Sequence, residues 1–173
     1  AVLVLAGCGC PLGKREAFAD GGGSERPERK REWRQTLVEV TISDDFYSEV
    51  QHAVVKHQPE LTISRTDSLI ILEGLFVVSG PAGPFDSYQI KAGITGGFPA
   101  EEPVVFEEGG RIPRIADRHV FPDHGNCCLG VWEEWLLSAQ DLRFETLLTG
   151  RMHDYFVSQT YYEAHGEWPF GER

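Results

Sequence analysis

The sequence predicts an α+β domain: an N-terminal helix, a four-stranded antiparallel meander, a long active-site loop and C-terminal helices. Three observations predict it. Apolar residues recur at helical spacing from Phe46 to His57, and again from Phe144 to Phe156. Between them lie short β-rich segments separated by Gly/Pro turns, too closely spaced for helical crossovers. Helices that flank a run of strands, rather than alternating with it, segregate from a single sheet.

In chain order, residues 1–34 read as a flexible tail. They hold Gly21-Gly22-Gly23-Ser24 and a mixed-charge run from Glu25 to Arg34, with little to line a core. The folded domain is expected over 35–173. It opens on the apolar stretch Leu37, Val38, Val40 and Ile42. Ser43 is placed to cap a helix whose first turn holds Asp44 and Asp45, which suit the positive end of the helix dipole. Phe46, Val50, Ala53, Val54 and His57 give that helix its buried face, and Pro59 stops it. Strands are expected at 61–64, at 68–79 with Gly74 as a bulge, around Tyr88–Ile94 where apolar and polar residues alternate, and at 103–107. Gly80-Pro81-Ala82-Gly83-Pro84 and Gly96-Gly97 supply turns. The stretch 108–126 reads as a long irregular loop, a form that functional segments often take. Phe144, Leu147, Leu148, Met152, Tyr155 and Phe156 then mark a buried helical face.

Composition narrows the function. The 173 residues carry a formal net charge of -11. Residues 1–34 contain seven Lys/Arg and five Asp/Glu, leaving nine against twenty-two, a net of -13, on the rest. Such a surface repels phosphate backbones and suits a partner with a basic face, so nucleic acid is not an expected partner. No apolar run reaches the roughly 20 residues of a membrane-spanning helix, so no membrane role is expected. The four cysteines fall in two tight pairs, Cys8 with Cys10 and Cys127 with Cys128. That is neither a disulfide framework nor a zinc spacing, and no metal or cofactor is expected. A reducing, cytoplasmic compartment follows. Leu5-Ala6-Gly7-Cys8 matches a lipoprotein cleavage pattern, but the apolar run before it is shorter than a signal peptide needs.

The chemistry concentrates in the loop Arg118-His119-Val120-Phe121-Pro122-Asp123-His124-Gly125-Asn126-Cys127-Cys128-Leu129-Gly130. A cysteine attacks or carries acyl groups as its thiolate, which a nearby cation or dipole stabilises. His119, His124, Arg118 and the loop's backbone N–H groups are the candidates for that field. The alternative is that the cysteine pair is a small apolar step into a buried segment.

These residues resemble the E2-type ubiquitin-conjugating enzymes. Phe98-Pro99 through Pro103-Val104-Val105-Phe106 is similar to that family's Y/F-P-x-x-P-P-x-V-x-F segment, one residue shorter. Gly125-Asn126-Cys127-Cys128-Leu129 is similar to G-x-x-C-L around the family's catalytic cysteine, and the match selects Cys128. Trp135 lies seven residues after Cys128 and His119 nine before it, near the family's Trp and His. The likeness covers roughly residues 40–160. It implies a UBC-like fold in which Cys128 accepts a ubiquitin-like protein as a thioester from an E1-like adenylating enzyme and passes it to an amine on a protein target. The family's His-Pro-Asn is missing: Asp123 stands in its place, and an ionised Asp cannot donate a hydrogen bond to an oxyanion. Asn126 and backbone N–H groups are the expected substitutes. The spacing His-x-x-Pro-Asp-x-Gly before Cys-Leu-Gly, with the ending Trp168-Pro169-Phe170-Gly171-Glu172-Arg173, resembles the E2-like proteins of bacterial antiviral operons.

Two other readings compete. A non-catalytic E2-like or RWD-like module would dock a ubiquitin-like partner without chemistry, which Asp123 favours. A cysteine hydrolase would pair Cys128 with His119, but no orienting Asn or Asp outside the loop is recognisable. The tail offers a first test: deleting residues 1–34 should leave the thermal midpoint within a few degrees. A fall of about 10 °C, roughly 3 kcal/mol for a domain of this size, would show that the tail packs on the domain.

Overall fold

The computed structural model describes residues 40–169, and the tail assigned to 1–34, the residues Leu37 and Val38, and Phe170–Arg173 lie outside the described residues. Within it, α1 spans Asp44–His57, β1 Leu61–Arg65, β2 Leu69–Gly80, β3 Gly83–Thr95 and β4 Val104–Glu107. A 3-10 turn at Ala116–Arg118 precedes α2, Trp132–Ser138. The chain ends in α3, Phe144–Leu147, which runs through a π-turn at Leu148–Met152 into α4, His153–His165. The strands form one antiparallel sheet in the order β1-β2-β3-β4, a simple meander. Among the described residues, no helix is long and apolar enough to cross a membrane.

Local sequence sets the ends of α1. The Ser43 hydroxyl accepts the Phe46 N–H at 3.1 Å, satisfying one of the first-turn donors that the helix leaves unpaired. After Pro59 the chain turns into β1, and the buried Gln58 side chain pairs with the backbone of Val77 in both directions, at 2.8 and 3.0 Å. β2 and β3 close through Gly80-Pro81-Ala82-Gly83, with Gly80 paired to Gly83. The register slips at Val78/Ser79, so the irregularity is there and not at Gly74. Gly74 pairs regularly with Leu61 and Ile90. It is glycine because φ is +139° and a Cβ would stand 2.5 Å from the Glu60 carbonyl oxygen.

The inner face of the sheet presents Ile70, Leu72, Phe76, Val78, Tyr88, Ile90, Ala92, Ile94 and Val105, all buried. α1 supplies Val50, Ala53 and Val54 to the same core, and the C-terminal helices supply Phe144, Leu147, Leu148, Met152, Tyr155 and Phe156. Phe156 sits between Phe76 and Tyr88 with both ring centroids 4.9 Å away. A second aromatic group gathers around Phe98. It stacks on Phe46 at 5.5 Å and touches Trp132, Trp135 and Phe144, so α2 is held down by its two tryptophans. The Trp132 indole N–H donates to the Pro99 carbonyl at 3.1 Å.

The long loop after β4 is tied to the body at its start. The buried Glu107 carboxylate accepts the N–H groups of Arg111 and Ile112 at 2.9 and 3.1 Å. The Arg111 guanidinium lies over the Tyr88 ring and bonds Asp86 on β3 and Glu163 on α4. Arg111 chiefly, with Thr160 and the Ser87 N–H assisting against burial, holds the Asp86 carboxyl down at about 2. Because the folded pKa lies below the unfolded one, this stabilisation is complete above roughly pH 4 and is lost as pH falls toward 2. Asp86→Asn should therefore lower stability at neutral pH by about 1 kcal/mol, allowing for solvent screening of Arg111. Urea midpoints of variant and parent should converge between about pH 4 and pH 2; a gap that stays constant across that range would place the effect elsewhere.

Candidate functional site

The second half of the loop folds back on itself. Val120 pairs with Cys127, flanked by bonds from Phe121 N–H to the Asn126 carbonyl at 2.9 Å and from Cys128 N–H to the His119 carbonyl at 2.7 Å. The result is a small hairpin with Pro122, Asp123, His124 and Gly125 at its tip. Gly125 has φ +77°, and a Cβ there would meet the Arg114 guanidinium at 3.1 Å, so the tip turns where only glycine fits easily. The returning limb is pinned on its other side: Asn126 pairs with Phe106, and Cys127 N–H donates to the Val105 carbonyl at 2.7 Å. It thus covers the otherwise open edge of β4 and borrows its rigidity.

That pairing separates the two cysteines. Along an extended segment, side chains alternate, so Asn126 and Cys128 take one face and Cys127 the other. Cys127 is buried beside Val120, at 3% and 4% exposure. Burial, outweighing hydrogen bonds from Tyr155 and the Glu107 backbone, pushes its thiol up to about 11. Roughly one part in ten thousand of such a thiol is ionised at pH 7, which leaves it inert. Cys128 is half-exposed, and neither cysteine is in a disulfide.

His119 is placed by its backbone. It adopts the left-handed conformation, φ 50° and ψ 44°, uncommon for a side-chain-bearing residue, at the end of the 3-10 turn. Its carbonyl receives the Cys128 N–H, while its ring packs edge-on against Trp168 at 4.6 Å. Trp168 in turn lies 4.8 Å from the Tyr162 ring. Asp123 stands exposed at the hairpin tip, whereas Asn126 is half-buried on the Cys128 face. The Cys128 N–H is taken up by the His119 carbonyl, and Asn126 lies on the same face of the segment as Cys128.

Arg118 departs from the field-supplying role suggested by its position. It is buried at 8% exposure, with its guanidinium held by groups on α4. Its Nε donates to Gln159 Oε1 at 2.9 Å, Nη2 reaches Glu163 at 3.3 Å, and the guanidinium lies over the Tyr162 ring. Gln159, fully buried on α4, returns the bond by donating Nε2 to the Arg118 carbonyl at 2.7 Å. The Tyr155 hydroxyl is shared between the carbonyls of Arg118 and His119. Burial raises its pKa far above the usual phenol value, so it stays a neutral donor. Tyr155, Gln159 and Trp168 are the site-building residues that spacing alone does not single out. Polar Gln159, three residues after Phe156 on an otherwise apolar face, is the signal that was there to read.

Among the described residues, no group of three or more His, Cys, Asp or Glu is arranged to hold a metal ion. What the arrangement offers is a part-exposed thiol on a stiff, edge-paired segment, with an amide on the same face. No family model, no curated protein and no solved structure matches the chain.

Native iodoacetamide treatment should modify Cys128 and spare Cys127 by at least about a hundredfold, as fragment-ion mapping of the peptide containing both would show. Equal labelling, or labelling of Cys127 alone, would mean that the segment is turned over.

Proposed function

We propose that the chain is a thiol acyl carrier, with Cys128 as the residue that holds the acyl group. The observation that carries this is the split of the adjacent cysteines: one sealed behind β4 with its thiol raised to about 11, the other presented at the surface. The particular carrier it fits is an E2-type conjugating enzyme with a UBC-like fold. The helix–meander–loop–helix order, the Phe98-Pro99 segment packed against Trp132 and Trp135, and the placement of Cys128 after β4 all support that reading.

In this scheme the Cys128 thiolate attacks the thioester that joins an E1-like adenylating enzyme to the C-terminal glycine of a ubiquitin-like protein. The new S–C bond forms at Cys128 as the bond to the E1-like cysteine breaks and that cysteine leaves as a thiolate, which takes up a proton from solvent. An amine on the protein target then attacks the Cys128 thioester, losing a proton as the amide forms and Cys128 is released. Asn126 holds the oxyanion that develops in each step, the part Asp123 is unable to play when ionised. The acidic surface of the domain suits a partner with a basic face, and the resemblance to the E2-like proteins of bacterial antiviral operons suggests antiphage defence as the setting. A non-catalytic binding module is the second reading; the exposed Asp123 at the loop tip, where the family keeps an Asn, favours it.

Charging with an E1-like enzyme, a ubiquitin-like protein and ATP separates the two on non-reducing gels. The parent should form a reducible adduct that Cys128→Ser abolishes or converts to a slower-forming oxygen ester. Cys127→Ser should still charge, at some cost in stability from a hydroxyl placed among apolar groups. An adduct that survives Cys128→Ser but not Cys127→Ser would move the role to Cys127. Failure of the parent to charge would leave the binding module.

A further inference from the structure

The π-turn between α3 and α4 has a consequence at the cysteine. π-turns are rare interruptions of a helix and concentrate at functional sites. This one carries Gly150 and Arg151, and Arg151 reaches back to donate Nη1 to the Leu129 carbonyl at 3.1 Å, one residue from Cys128. A second observation points to the same contact. Gly130 has φ +103°, which by itself favours glycine, and the guanidinium occupies the space beside it, where a Cβ would overlap Arg151 Nη1. A third concerns charge. Glu102, on the connection between β3 and β4, feels Arg151 and Glu133, and burial together with the Glu133 charge raises its carboxyl while Arg151 draws it down. The guanidinium thus sets a positive charge against the segment 129–130, near Glu102.

We propose that Arg151 is a positioning residue for Cys128: delivered by the π-turn, it fixes the Leu129 carbonyl and sets a positive charge beside the reactive thiol. The inference rests on the reading of Cys128 as the reactive cysteine, and it adds the group that governs that reactivity. A guanidinium–carbonyl bond orients the backbone that follows Cys128. A cation within about a Debye length, about 8–10 Å, of a thiolate favours the ionised nucleophile. Both effects act without Arg151 touching the transferred group.

The test uses the full chain and iodoacetamide, and needs no partner protein. Arg151→Ala should slow alkylation of Cys128 roughly tenfold, the worth of one charge-assisted hydrogen bond, while Cys127 stays protected and the thermal midpoint stays within a few degrees. Arg151→Lys, which keeps the charge and a donor, should recover the rate to within about threefold of the parent. A parental rate in Arg151→Ala, or a Lys variant as slow as the Ala variant, would overturn the proposal. The outcome is separable from the acyl-carrier reading. If the parent fails to charge with an E1-like enzyme while the Arg151 pattern holds, the carrier function falls and the positioning role stands.

Discussion

The interaction on which the site depends is the reciprocal pair between Arg118 and Gln159. Past its ties at Arg111 and Ile112, the loop that carries the cysteines has no regular structure until the turn at Ala116. Gln159 supplies the reference point. Its amide accepts the Arg118 guanidinium and donates to the Arg118 carbonyl, both inside the protein. A buried guanidinium is costly unless its donors are met. Here Gln159, Glu163 and the Tyr162 face meet them together, and losing one hydrogen bond to such a charged group typically costs about 1.5–3 kcal/mol. The loop therefore has one low-energy seat on α4.

From that seat the rest follows. Arg118 locked, His119 turns through the left-handed region and offers its carbonyl to Cys128. Val120 then lies opposite Cys127, which drops behind β4, and the alternation of an extended chain leaves Cys128 outward. A carrier of activated acyl groups needs little more. Thioester exchange requires an accessible thiol, a fixed approach and a donor for the oxyanion, and it does not require the buried His–Asp pair of an amide hydrolase. Cys127 serves the core as a small apolar side chain, and Cys128 stays part-exposed.

Much of this was legible in the sequence. Ser43 announced α1, and the six apolar positions from Phe144 to Phe156 are all buried. The four strands appeared because their turns contain Gly and Pro and their inner residues alternate with polar ones. What was hidden had physical reasons. β3 starts at Gly83, because Pro84 and Phe85 are tolerated next to a tight hairpin where Pro usually signals a break. α2 is seven residues long, too short to show a period, and is made stable by Trp132 and Trp135 rather than by propensity. Gly74 looked like a bulge, but the glycine answers a close backbone approach from Glu60. At the site, the inward turn of Arg118 and the reach of Arg151 depend on contacts across more than 20 residues.

The claim that the α4 clamp seats the cysteine hairpin is tested most directly by amide hydrogen exchange at Cys127 and Cys128 in Gln159→Leu. The substitution keeps the volume and removes both hydrogen bonds. The Cys128 amide, bonded to the His119 carbonyl, should lose protection by roughly a hundredfold, the worth of a hydrogen bond to a buried charged group. The amides of β2 and β3 should keep theirs. Unchanged exchange at Cys128 in a folded Gln159→Leu protein would show that β4 alone holds the hairpin, and would contradict the account.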